Sequence, residues 1–185
     1  YFNNANVQKF LKKNKERVSI GITIDGNKEL HDSCRRFSDG RPSYDIVAKA
    51  VQKHKQLFKM TDTKLTLAPA NISYLVPAIK NLYENLHMNG VYANCVFEKG
   101  WTFEHAKLFY KELKELANWI IENDIEKNFF CTLFEDHLGY TMSEEENKNY
   151  CGGTGAMLSF TADGRIQPCL RYTDFNLNYR QPELD

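Results

Sequence analysis

The stretch RVSIGITID, residues 17–25, alternates without a break. Val18, Ile20, Ile22 and Ile24 fall on one face of an extended strand, and Ser19, Gly21, Thr23 and Asp25 on the other. The β-branched face suits packing under helices. The small, polar face does not suit a second layer of helices, since a parallel sheet covered on both sides is apolar on both faces. A strand built this way is expected to line a ligand cavity.

The residues that follow extend the pattern. Val7–Lys15 is a short helix candidate ahead of the strand. Tyr44–Lys59 reads as a helix capped by Ser43, with Ile46, Val47, Ala50 and Val51 on one face. Lys64–Ala68 is a short strand ended by Pro69. Ser73–Met88 is a helix with Pro77 in its first turn, where proline is tolerated. Val91–Glu98 is a third strand, with Val91, Ala93, Cys95 and Phe97 on one face and Tyr92, Asn94, Val96 and Glu98 on the other. Thr102–Asn123 is the longest helix, striped by Ala106, Phe109, Leu113, Leu116 and Ile120. Residues 124–150 read as irregular, with a solvated SEEENKN run. Strands alternating with helices of this length predict βαβ units and a parallel sheet.

Composition narrows the class. At 185 residues the chain is long enough to bury a core. Its 24 basic and 24 acidic side chains balance, so no charge excess argues for nucleic acid. No apolar run reaches membrane-spanning length. The start, YFNNANVQKFLKKNKER, has no signal-peptide core. Five cysteines, an odd number, fit a reducing compartment better than a disulfide framework. The expectation is a cytoplasmic protein without a membrane or nucleic-acid partner.

Near the C-terminus stands CGGTGAMLSFTADGRIQPC, Cys151 to Cys169. Ala156–Thr161 alternates as a strand, Ala162-Asp163-Gly164 is a turn signal, and Arg165–Pro168 starts a return strand. Such a hairpin brings distant thiolates together, as an iron–sulfur or zinc site requires. Glycines after Cys151 let backbone amides approach sulfur. The C-x-x-C pairs typical of structural zinc are absent.

The spacing Cys-x12-Gly-x4-Cys resembles the opening half of the SPASM domain. That domain follows the barrel of many radical S-adenosylmethionine (radical SAM) enzymes and carries auxiliary [4Fe-4S] clusters. A second block, ITIDGNKELHDSCRRFSDGRPSYDIVAKAV, residues 22–51, resembles the fourth strand and following loop of such enzymes. There S/T-x-D-G, H-D-x-x-R and G-x-x-S-[FY]-D recur. The order and spacing of the two blocks also agree, and together they span nearly the whole chain.

The resemblance implies an α/β fold: the C-terminal half of a partial (β/α)6 TIM-like barrel, then the first β-hairpin of a SPASM domain. Residues 1–123 would be the half barrel, 124–150 a linker and 151–185 the start of SPASM. The family's Cys-x3-Cys-x2-Cys motif, which binds the catalytic cluster, does not occur in these residues. The chain is therefore expected to be part of a longer enzyme, inactive alone.

The implied cofactors are S-adenosyl-L-methionine and an auxiliary [4Fe-4S] cluster held in part by Cys151 and Cys169. Thr23 would contact the ribose, Arg35 the methionyl carboxylate, and Asn94 would face the cavity with Glu98. No catalytic residue is assigned. His31 and Asp32 read better as a turn with Asp32 capping or salt-bridging than as a dyad. Cys95 reads as a small core residue, and Cys34 and Cys131 have no ligand spacing.

The implied activity is modification of a peptide or protein through a 5′-deoxyadenosyl radical, with a flavodoxin or ferredoxin as electron donor. Anaerobic sulfatase maturases place an Asp base directly after the second hairpin cysteine. Here that residue is Leu170, which cannot take a proton. Formylglycine formation is therefore disfavoured, and the likeness leans toward ribosomal-peptide maturases that install thioether or other cross-links. The wording of CVFEKGWT and PCLRY is most similar to maturases proposed for Cys-repeat peptides. The competing class is a non-catalytic peptide-binding module derived from the same fold.

Overall fold

A computed structural model describes residues 4–18, 20–55, 58, 60–96, 99–135, 141–148, 157–161 and 163–169. The chain divides into two compact units, Tyr1–Asp136 and His137–Asp185.

The first unit is α/β. In chain order it contains α1 (Ala5–Lys13), α2 (Lys28–Cys34), α3 (Tyr44–His54), β1 (Asp62–Leu67), α4 (Leu75–Glu84), β2 (Gly90–Cys95), α5 (Phe103–Glu122) and β3 (Phe130–Cys131). The strands form a three-stranded parallel sheet in the order β1-β2-β3. Thr63, Leu65 and Leu67 of β1 stand in register with Val91, Ala93 and Cys95 of β2. This face meets the helices. Leu75, Val76, Ala78, Ile79 and Leu82 of α4 and Leu116, Trp119 and Ile120 of α5 close over it as one core.

Local chemistry sets the helix ends. Pro69 opens a 3-10 turn, Pro69–Tyr74, in which Asn71 Oδ1 accepts the Ala68 N–H at 2.7 Å. Pro77 lies in the first turn of α4, where its missing N–H has no helical acceptor to lose. Thr102 caps α5, and His105 fills the third position of the box, its Nδ1 accepting the Thr102 N–H at 3.1 Å.

Three expectations need correction. The alternating stretch 17–25 is not a strand of the sheet; its described residues carry no main-chain ladder. It lies beside β1 through side chains, Thr63 of the strand and Asp25 of the segment itself. Thr63 Oγ1 accepts the Ile24 N–H at 3.1 Å and donates to Ile22 O at 3.2 Å. A hydroxyl that both donates and accepts thus stands where a ladder would be. Ile24 is fully buried and Ile22 packs on the core, as the alternation requires, but Asp25 of the polar face is fully buried as well, and Ile22 also lines the open side with Gly21 and Thr23.

Second, the stretch 124–150 is not all irregular. It supplies β3, whose pairing is prolonged by Thr132: its Oγ1 accepts the Ala93 N–H at 2.8 Å and donates to Ala93 O at 3.0 Å. A strand this short leaves no periodicity in the sequence to read. Third, Ser43 does not cap α3 with its side chain, and Ile46, expected on the packed face, is 52% exposed.

The second unit contains α6 (Glu144–Lys148) and an antiparallel hairpin of β4 (Ser159–Phe160) and β5 (Ile166–Gln167), with Phe160 opposite Ile166. Gly164 has φ +85°, the positive value the turn signal predicts. Among the described residues the two sheets do not amount to a barrel.

The Thr63 hydroxyl carries a testable share of this fold. Thr63→Val keeps the shape and removes both hydrogen bonds. It should cost about 1–3 kcal/mol in urea unfolding, because it orphans a buried N–H, while Thr63→Ser should stay within about 0.5–1.5 kcal/mol of the parent. A Val variant as stable as the parent would show that the Thr63 hydroxyl does not hold the segment.

Candidate functional site

The sheet has one covered face and one open face. On the open face β1 presents Asp62, Lys64 and Thr66, in register with Gly90, Tyr92 and Asn94 of β2. Phe130 of β3 adjoins them, its ring centroid 5.3 Å from that of Tyr92. Parallel sheets bury both faces in most folds; here Lys64, Tyr92, Asn94 and Phe130 are all exposed. A cleft of about 570 Å³ opens on this side. Gly21, Ile22 and Thr23 form one wall; Asp62, Thr63 and Lys64 of β1 and Tyr92 of β2 form the other. Its size is that of a small-molecule or side-chain site.

At the upper end of the segment a polar network replaces the missing ladder. Asp25 is fully buried. Its Oδ1 accepts the Thr66 N–H of β1 at 2.9 Å, and its Oδ2 is ion-paired with Arg35 Nε. The Asp25 N–H donates to His31 Nδ1 at 3.1 Å. That bond fixes the ring as the neutral tautomer with its proton on Nε2. This proton points to Ser43 Oγ at 3.0 Å, and Ser43 Oγ in turn donates to Arg35 O at 2.7 Å. Each group has one role and the chain of donors closes without conflict.

Asp32 completes the network. Its Oδ1 accepts the N–H groups of Ser43 and Tyr44 at 2.8 and 2.9 Å. It therefore caps α3 from a distance, and a carboxylate suits the positive end of that helix. This corrects the assignment of the cap to Ser43, whose hydroxyl is engaged with His31 and Arg35. The capping role expected of Asp32 is the one it has. Gly26, next to Asp25, has φ +67°, and a Cβ there would stand 2.2 Å from Ala78 Cβ, so only glycine fits this turn under α4.

The residues singled out by sequence take these places. Thr23 is half-buried and lines the cleft. Arg35 ends α2, with its side chain 43% exposed and its Nε on Asp25, leaving the outer edge of the guanidinium toward solvent. Asn94 is exposed on the open face beside Thr66 but is not part of the cleft wall. Glu98 and Cys151 lie outside the described residues. Cys169 is a free, half-exposed thiol just beyond β5.

Cys95 and Cys131 pack against the core, and burial pushes their thiols up, that of Cys131 to about 11. Thiols held this firmly protonated are poor metal ligands. Among the described residues no group of three or more His, Cys, Asp or Glu side chains is placed to hold a metal. Lys64 and Asp62 were not singled out, although the alternation of Lys64 and Thr66 with Leu65 and Leu67 carries the signal.

No protein-family model matches the chain, and no curated protein matches it. Among the described residues no helix is long and apolar enough to cross a membrane.

His31 makes the network sensitive to acid. Burial lowers its pKa below the ordinary 6.5, outweighing the nearby Asp25 and Asp32 carboxylates, with Arg35 adding to the lowering. The unfolded chain then binds the proton more readily than the folded one. The stabilisation is present above about pH 6.5 and is lost as pH falls below that value. Urea unfolding at pH 7.5 and 5.5 should show the loss, and His31→Gln should reduce it. His54, whose pKa burial also lowers, adds to the loss, and Glu112, whose pKa burial raises, opposes it. An unchanged pH slope in the variant would show that His31 is not the sensitive group.

Proposed function

We propose that this chain forms part of a radical S-adenosylmethionine enzyme that modifies a peptide or protein, with the sheet as half of a partial (β/α)6 barrel and the hairpin as the start of a SPASM domain. One observation carries the reading. Within the block that resembles the family, residues 22–51, Asp25, His31, Asp32, Arg35 and Ser43 form a single network beside β1. The polar, uncovered side of a parallel sheet supports the same reading, because a barrel interior needs such a face.

The residues fit S-adenosylmethionine. The Thr23 hydroxyl lies on the cleft wall, where it can donate to and accept from a ribose diol. Arg35 is held at its Nε, which leaves its terminal nitrogens for a carboxylate. When bound together with a reduced iron–sulfur cluster, S-adenosylmethionine supplies one-electron hydrogen abstraction. The protein orients and shields the reacting groups. Cys169, free and half-exposed, is available as a thiolate ligand for an auxiliary cluster, with Cys151 as its sequence partner. Leu170 after Cys169 argues against formylglycine formation.

Equilibrium dialysis of S-adenosylmethionine tests the reading on the chain as it stands. Binding should weaken about tenfold in Thr23→Val and in Arg35→Ala, on the order of one charge-assisted or buried hydrogen bond. In the longer enzyme that supplies the remaining ligands, anaerobic reconstitution with iron and sulfide should load less iron in Cys169→Ala than in the parent. Iron loading unaffected by that variant, together with no S-adenosylmethionine binding, would leave the peptide-binding module as the better description.

A further inference from the structure

The hairpin of the second unit has its faces reversed. Phe160 of β4 and Ile166 of β5 stand opposite one another across the ladder and are 68% and 60% exposed. Leu158, two residues before Phe160, is exposed as well. The other face pairs Ser159 with Gln167. Ser159 is 5% exposed, and among the described residues its Oγ has no hydrogen-bond partner. A hairpin with one face buried ordinarily turns its apolar residues inward and its polar ones to water. A buried hydroxyl without a partner is costly and rare. Both departures are accounted for when the inner face is built around a polar group.

Cys169 places such a group. It stands two residues beyond Gln167, the step that keeps to one face of a strand. Ser159, Gln167 and Cys169 thus share the inner face by register. The Cys169 thiol is free.

We propose that the Ser159 hydroxyl donates its hydrogen to a sulfur of the iron–sulfur cluster that Cys169 holds in part. The inference deepens the function proposed above and rests on that reading for the cluster. Ser159 binds no iron and is a positioning residue. A hydroxyl has one hydrogen to give, and cluster sulfurs carry negative charge and accept it. Hydrogen bonds to those sulfurs stabilise the reduced, more negative state, and so they raise the reduction potential.

The first arm of the test uses the chain as it stands. Without the cluster the hydroxyl is an orphan, so Ser159→Ala should leave hydrogen exchange of the hairpin amides unchanged or slower. Faster exchange in that variant would mean that the hydroxyl has a partner within the protein, and it overturns the proposal.

The second arm uses the longer enzyme, reconstituted anaerobically with iron and sulfide. An EPR-monitored redox titration follows the signal that Cys169→Ala removes. Ser159→Ala should keep the parent's iron content and shift the midpoint of that signal to lower potential. Ser159→Thr keeps the hydroxyl and should stay near the parent. An unchanged midpoint in Ser159→Ala overturns the proposal and leaves the radical reading standing, since the cluster is still bound through Cys169. An equal shift in Ser159→Thr overturns it too. If Ser159→Ala loads no iron, Ser159→Thr decides: parent iron and midpoint support the hydroxyl, and loss of iron in both variants overturns it. A parent in which no iron depends on Cys169 overturns this inference together with the reading it rests on.

Discussion

A fully buried carboxylate, Asp25, is the constraint on which this arrangement depends. A buried charge is tolerated only when it is paired and its lone pairs are satisfied. Asp25 meets that condition with a β1 amide on one oxygen and Arg35 on the other. Its own N–H is taken by His31. The segment 20–25 thus joins the sheet at its upper end without a ladder. The turn that follows, α2 and the start of α3 are all fixed by groups within reach of this carboxylate. The exposed half of the pair, Arg35, loses freedom, and so its outer edge is held in one direction. The ion pair is screened on the solvent side, so its contribution to stability is smaller than its burial on the Asp side suggests.

The second constraint is the one-sidedness of the sheet. Parallel strands joined through α4 and α5 place their crossovers on one face, where Leu65, Leu67, Val91 and Ala93 meet them. The opposite face alternates by the period of a strand and so receives Asp62, Lys64, Thr66, Tyr92 and Asn94. These residues are too polar to pack under a second helical layer, yet Tyr92 and Phe130 are too apolar for a face that does nothing but meet water. A lined cavity satisfies both halves of that description.

Much of this was legible in the sequence, and the misses have physical causes. The α/β class follows from Leu65 and Leu67, Val91 and Ala93, and the stripe of α5, all long or regular enough to show their period. The alternation at Val18–Asp25 foretold the burial of Ile24 but not that of Asp25, and alternation does not report hydrogen bonding. Whether a ladder forms depends on the neighbour, and here Thr63 supplies a hydroxyl in its place. β3 was invisible because Phe130–Cys131 is shorter than one strand period can reveal. Which helix Asp32 caps was hidden for another reason: capping rules look to the adjacent residue, and Asp32 stands 11 positions before Ser43.

The site divides along the same line. Thr23 lies on the cleft wall, while Asn94 is exposed on the open face and outside that wall. Residues whose role follows from contacts across the fold, Asp25 above all, show no period in the sequence. Asp25, His31, Asp32, Arg35 and Ser43 are close in sequence but separated by a turn, a helix and a loop. Only their convergence shows that one proton arrangement satisfies all of them. Ser43 cannot accept from His31 unless its own hydrogen goes to Arg35 O, and His31 cannot donate unless its Nδ1 faces Asp25. The neutral imidazole is therefore a structural necessity of the rim. It links the helix that ends at Arg35 to the strand-like segment that carries Thr23, through groups that lie outside the cleft wall.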